Sequence, residues 1–150
     1  MRIALGNDHR GYPLKMHLAA LLTEQGHEVV DLGAHSTESS DHPLFARAVG
    51  ELIASGGADR GILTCGSGLG VSIAANKVPG VVAALVWNAE LARLARKHNG
   101  ANVLCLAADF VAEYYAAECV LAFLEAEMDH TERYVRRRGQ IAQYEGKALV

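Results

Sequence analysis

No run of apolar residues in this chain approaches the roughly 18 that a membrane-crossing helix needs, so no membrane partner is expected. Cysteine is scarce. Cys65, Cys105 and Cys119 make an odd three without paired spacing, which argues against a disulfide scaffold and for a reduced, cytoplasmic protein. An excess of one charge is also missing: 14 Lys and Arg against 17 Asp and Glu, net −3, leave no basic footprint for nucleic acid. The seven histidines are scattered and none has a ligand spacing such as H-E-x-x-H, so neither a metal nor another cofactor is expected. The opening Arg2-Ile3-Ala4-Leu5 meets Asp8 at once, which is not the pattern of a signal peptide. With no repeat, low-complexity tract or linker, residues 1–150 are expected to form one domain.

Short apolar runs alternate with helical patterns. Strands are expected at 3–5, 29–32, 61–64, 81–86 and 102–106. Leu14, Leu18, Leu21 and Leu22 form one helical face, with Pro13 suited to the first turn and Gly26 to a stop. Phe45, Val49, Leu52 and Ile53 form a second, after Pro43 and before Gly56-Gly57. A third helix opens at a glycine segment and ends before Pro79-Gly80. Asn88 can cap a fourth carrying Leu91, Leu94 and Ala95. Phe110, Tyr114, Ala117, Leu121 and Leu124 suggest a fifth, with Asp109 as a possible cap. Five strand–helix units predict an α/β, three-layer, Rossmann-like sandwich: a five-stranded parallel sheet with helices on both faces. Residues 33–41 read as a polar loop.

The densest chemistry lies in Thr64-Cys65-Gly66-Ser67-Gly68-Leu69-Gly70. A thiol stands where the third strand ends, and three glycines let backbone N–H groups curl round whatever it faces. A following helix adds the positive end of its dipole. Such a place stabilises a thiolate and a developing oxyanion. An inert cysteine in a tight glycine turn is the competing reading. In a parallel sheet, ligands bind beyond the carboxyl ends of the strands. Asp8 and His9 after the first strand, Asp41 and His42 after the second, and Cys65 after the third should therefore share one edge. That convergence favours a functional thiol.

These residues, in this order, resemble the type B ribose-5-phosphate isomerases, the family that includes galactose-6-phosphate isomerase subunits. The likeness covers nearly the whole chain. It rests on Gly6-Asn7-Asp8-His9-Arg10-Gly11, on Asp41-His42-Pro43, on Cys65 through Gly70 with Ser67 where threonine is usual, on Ser72 through Lys77, and on His98-Asn99 followed by Asn102-Val103-Leu104. The resemblance implies a metal-independent aldose–ketose isomerase working through a cis-enediolate. It implies Cys65 as the base that moves a proton between C1 and C2, a role that asks for a thiolate although a free thiol has a pKa of about 8.5. Ser67 and the N–H groups around Gly66, Gly68 and Gly70 would hold the enediolate oxygen. His98 would open the sugar ring with Asn99 beside it, where its bland role is to meet the dipole of the fourth helix. Asp8 would bind sugar hydroxyls and His9 the phosphate. Arg133 and Arg137, four apart, would reach the phosphate in a neighbouring subunit's site. The tail 130–150 is thus expected to cross between subunits, making a homodimer or a dimer of dimers with shared sites.

The sequence departs from that pattern at four places. Family members usually carry Gly-x-Arg after the fifth strand, with the arginine on phosphate; here Ala107-Ala108-Asp109 puts an anion there. Val82 stands where arginine is common, His42 where tyrosine is, and Gly100 where aspartate is. Asp109 and His42 are therefore candidate specificity residues. They leave open the same chemistry on another sugar phosphate or an unphosphorylated sugar. A catalytically silent sugar-binding subunit is a further alternative, but binding alone needs neither Cys65 nor His98. A dinucleotide site is disfavoured, because the loop reads G-x-G-x-G and follows the third strand instead of the first.

Overall fold

The computed structural model describes residues 1–145. Among them run β1 (Arg2–Asn7), α1 (Tyr12–Glu24), β2 (Glu28–Asp31), α2 (His42–Ala54), β3 (Arg60–Cys65), α3 (Leu69–Ala75), β4 (Ala83–Leu85), α4 (Ala89–Asn99), β5 (Val103–Ala107), α5 (Glu113–Glu125) and α6 (Glu132–Ala142). The strands form one sheet in the order β2-β1-β3-β5-β4, and every pairing is parallel. This is the Rossmann-like α/β arrangement that the alternation of patterns predicts. Of the expected tail, α6 lies within the described residues and 146–150 lie outside them. Among the described residues, no helix is long and apolar enough to cross a membrane.

Strand periodicity sorts the side chains into two cores. Ile3, Leu5, Ile62, Leu104 and Leu106 pack with Leu18, Leu22 and Phe123 on one face. Ala4, Leu63, Cys65, Val103 and Cys105 pack with Val49, Ile53, Val71 and Ala75 on the other. Successive residues of a strand point to opposite faces, so the alternation in β5 serves both layers. Cys65 belongs to the face covered by α2 and α3.

Several boundaries differ from expectation. β4 is only Ala83–Leu85. At its start the N–H groups are taken by side-chain amides: Val82 N–H donates to Asn102 Oδ1 at 2.8 Å, and Ala83 N–H to Asn76 Oδ1 at 2.9 Å. Asp109 does not cap α5. Phe110 and Val111 N–H groups turn back onto the Ala107 carbonyl, and the helix starts at Glu113 with Ala112 as its N-cap. Its inward stripe is Ala116, Cys119, Val120 and Phe123, whereas Phe110 and Tyr114 are 79% and 68% exposed. The small residues Ala116 and Cys119 join Ala92 and Ala95 of α4 in the core where the two helices pack, and Phe110 and Tyr114 are left outside. At α4 the expected cap is present: Asn88 Oδ1 accepts from Leu91 N–H at 2.8 Å. Gly100 closes that helix at φ +72°, a left-handed conformation that costs glycine nothing and other residues energy.

One buried charge pins the polar loop. Lys15 is 1% exposed; its Nζ donates to Asp31 Oδ2 at 2.7 Å and to the Ala34 carbonyl at 3.0 Å. A buried ammonium needs such partners, and here they fix the start of the loop after β2. Lys15→Met keeps the bulk but removes both bonds. It should lower stability by about 2 kcal/mol and Tm by roughly 4–8 °C; an unchanged melting curve would show the clamp to be dispensable.

Candidate active site

β1, β3 and β5 lie side by side, so the segments leaving their carboxyl ends meet. Asp8, 6% exposed, sits just past β1. Its Oδ1 accepts from the N–H groups of Arg10 and Gly11, both at 3.0 Å, which shapes the turn. Gly11 packs against the end of β3, where a Cβ would lie 2.3 Å from the Thr64 carbonyl oxygen. Thr64 Oγ1 donates to the Gly11 carbonyl at 3.0 Å.

Cys65 ends β3 and is 4% exposed. The chain then reverses at Gly68, φ +71°, before α3 begins. The reversal aims the Gly68 N–H at Cys65 Sγ, 3.2 Å away. β5 braces the loop from the other side: Ala108 N–H donates to the Cys65 carbonyl at 2.9 Å and Asp109 N–H to the Gly66 carbonyl at 3.0 Å. A cavity of about 340 Å³ opens over the sulfur, lined by Asp8, Arg10, His42 and Asp109 together with Cys65, Gly66, Ser67 and Gly70. Its volume suits a small ligand. His42 lies flat against Gly70, where a Cβ would come within 2.4 Å of Nε2. Ser67 is exposed, and its Oγ accepts from Leu69 N–H at 3.4 Å.

Asp109 reaches this cavity, but not as a lone anion. Its Oδ2 accepts from Arg10 Nε at 2.9 Å and also from Nη2. These hydrogen bonds and the charge of Asp109 push the Arg10 guanidinium pKa further up. Arg10 holds an unspecified position in the Asp-His-x-Gly motif, so no pattern pointed to it; the only signal was a cation beside a strand-end aspartate. Cys105, next to Cys65 on the same face, is fully buried, and burial first and its thiol neighbour second push its pKa up. Of the two, only Cys65 lines the cavity.

His9 lies beside this group, partly buried. Its N–H donates to Ser40 Oγ at 3.0 Å and its Nδ1 accepts from Ser40 N–H at 3.2 Å, tying the β1 turn to the loop 33–41. No group of three or more His, Cys, Asp or Glu side chains that could hold a metal ion occurs among the described residues.

The remaining candidates gather elsewhere. α4 runs back from the carboxyl edge of the sheet, so His98 and Asn99 near its end lie at the opposite edge, before β5 starts. Cys65 pairs with Ala107 at the far end of that strand, and the strand alone separates the edges by about 13 Å. α6 docks beside His98: Arg138 Nη1 donates to the His98 carbonyl at 3.2 Å. The His98 ring stacks on Tyr134 at 4.1 Å between centroids and 8° between planes. Arg133 Nη2 donates to Tyr134 OH at 2.7 Å. Arg133 and Arg137 fall one turn apart on α6, and Arg137 shares a hollow with Asn99. Tyr134 is a second residue that sequence reading missed, because stacking between distant segments leaves no spacing in the chain.

Similarity to known proteins converges on one group. The ribose/galactose isomerase family matches residues 3–141. Ribose-5-phosphate isomerase B of Escherichia coli K12 is 42% identical over 128 residues, covering 85% of this chain and 86% of that protein. The Clostridium thermocellum ribose-5-phosphate isomerase B structure superposes with a TM-score of 0.93 at 46% identity, covering 95% of this chain and 96% of that one. The Mycoplasma genitalium enzyme, solved with ribulose 5-phosphate bound, gives a TM-score of 0.92 at 40% identity over 98% of this chain and 97% of that one. With a thiol-bearing glycine loop at the carboxyl edge of a parallel sheet and this likeness along almost its whole length, the chain belongs to the ribose/galactose isomerase family.

Proposed function

We propose that the protein is an aldose–ketose isomerase that interconverts ribose 5-phosphate and ribulose 5-phosphate. The observation that carries this reading is the Cys65 sulfur at the floor of the 340 Å³ cavity, with the Gly68 N–H on it and Asp8 and Ser67 around it, in a chain 40% identical to an enzyme holding ribulose 5-phosphate. In the forward direction, Cys65 as thiolate takes the proton from C2 of the open-chain aldose. The electrons pass to O1, giving a cis-enediolate whose charge is held by the N–H groups of the glycine loop and by Ser67 Oγ. The O2 proton passes to O1 within the enediolate, the proton on Sγ returns to C1, O2 becomes the carbonyl, and the thiolate is regenerated. Asp8 has Oδ2 left for a sugar hydroxyl, since Oδ1 serves the turn. No redox partner is needed, because the hydrogen moves within one substrate.

The working unit is two chains. His98 and Asn99 with Arg133 and Arg137 lie at the opposite sheet edge from their own Cys65, so they serve the site of a second copy. There His98 exchanges the proton that opens the ring, and the arginines, with His9 of the receiving chain, bind phosphate. Exposed apolar residues ring the thiol edge: Leu44, Leu69, Trp87 and Phe110 are 56–79% exposed. α6 presents Val135 and Ile141, 49% and 50% exposed. Covering both sets would bury a large apolar area. Each chain acts as one domain that lends its tail, and three free, buried thiols suit the reducing cytoplasm.

Cys65→Ala should lower kcat for ribose 5-phosphate by about 10³-fold or more while leaving Tm within a few degrees; turnover near wild type would remove the thiol from the mechanism. Mild alkylation followed by mass spectrometry should place a single adduct on Cys65, slowed by ribulose 5-phosphate, because Cys105 and Cys119 are fully buried. Cys65→Ala and His98→Ala chains, each inactive alone, should regain about a quarter of wild-type activity when mixed and reassembled, since half the dimers would be mixed and each would hold one intact site. No recovery despite verified exchange would mean that each chain completes its own site.

A further inference from the structure

We propose that Arg10, held in place by Asp109, is a further phosphate-gripping residue of the receiving chain beside His9, a specificity determinant that rests on the isomerase reading above. The thiol cavity is lined by two carboxylates, Asp8 and Asp109, and Arg10 is the one Lys or Arg among its lining residues. Arg10 is thus the lining cation that can offset those carboxylates and meet a phosphate.

The geometry is that of a preorganised clamp. Arg10 Nε and Nη2 both bond one oxygen, Asp109 Oδ2. The Nη1 side of the fork has no bond to any described residue, and neither has Asp109 Oδ1. A guanidinium anchored on one edge and open on the other presents planar donors to a phosphate with little entropy left to lose. Both ends of the pair are fixed by backbone. Arg10 N–H bonds Asp8 Oδ1, and Asp109 N–H bonds the Gly66 carbonyl.

The pair also lies directly over the thiol loop. A Cβ on Gly66 would come within 2.6 Å of Asp109 Oδ2 and 2.7 Å of Arg10 Nε. The residue next to Cys65 thus has no side chain where the ion pair crosses it. Stability gives no reason for that arrangement, because Arg10 and Asp109 side chains are 58% and 33% exposed and exposed pairs contribute little. The anion at position 109, which alone would disfavour a phosphate, becomes intelligible as the anchor of a cation supplied from the β1 turn.

Arg10→Ala and the bulkier Arg10→Met test this in the full-length protein, with thermal melts confirming that both fold. The KM for ribose 5-phosphate should rise about 10- to 100-fold in both, as expected for loss of a charged hydrogen bond. The kcat should stay within about threefold, because the arginine binds away from the reacting carbons. Calorimetric titration with inorganic phosphate reads the same residue without turnover, and its Kd should weaken by a similar factor. Unchanged KM and phosphate affinity, a fall in kcat alone, or no phosphate binding to the wild type would each overturn the assignment. A wild type that binds phosphate through Arg10 yet does not isomerise ribose 5-phosphate would instead overturn the isomerase reading and leave the clamp standing.

Discussion

The two hydrogen bonds that carry the β3–β5 ladder past the ends of its strands are what the thiol site depends on. Ala108 N–H on the Cys65 carbonyl and Asp109 N–H on the Gly66 carbonyl fix a loop that is only two glycines and a serine between β3 and α3. Glycine gives up more conformational freedom on ordering than any other residue, so a loop rich in it needs bracing from outside. The two residues that follow β5 supply that brace from their backbone, leaving every side chain of the loop free for other work. The same bonds bring Asp109 to the cavity rim, so holding the loop and placing the charge are one event.

Pairing decides which cysteine reaches the cavity. Cys65 and Cys105 lie on the same sheet face and belong to the same core, yet only Cys65 is the last residue of its strand. One residue beyond it the chain turns and opens a cavity, whereas Cys105 is closed in on all sides and burial keeps its thiol protonated. Position along a strand, more than residue type, separates a cavity-lining thiol from a packing one.

The division of the candidate residues between opposite sheet edges follows from the parallel topology. Each helix must return the chain to the start of the next strand. A group at the end of α4 is therefore carried away from the edge where the thiol lies. His98 and Tyr134 form a stacked unit with Arg133, braced by α6 and complete in itself. A chain built this way holds two parts that one copy cannot bring together.

By itself the sequence determined the parallel sheet, the two-sided core, the cap of α4 and the thiol at the end of β3, since all of these follow from local periodicity, capping chemistry and glycine placement. It showed that Asp109 breaks the pattern of its relatives but not what answers it. The true face of α5 was hidden too, because Ala116 and Cys119 beside α4 took the core positions that Phe110 and Tyr114 were expected to fill. The Arg10–Asp109 pair, the Tyr134 stack under His98 and the separation of His98 from Cys65 were decided only by the tertiary structure. Each joins or parts segments far apart in the chain, and such distances depend on strand order and helix direction, which no local spacing encodes.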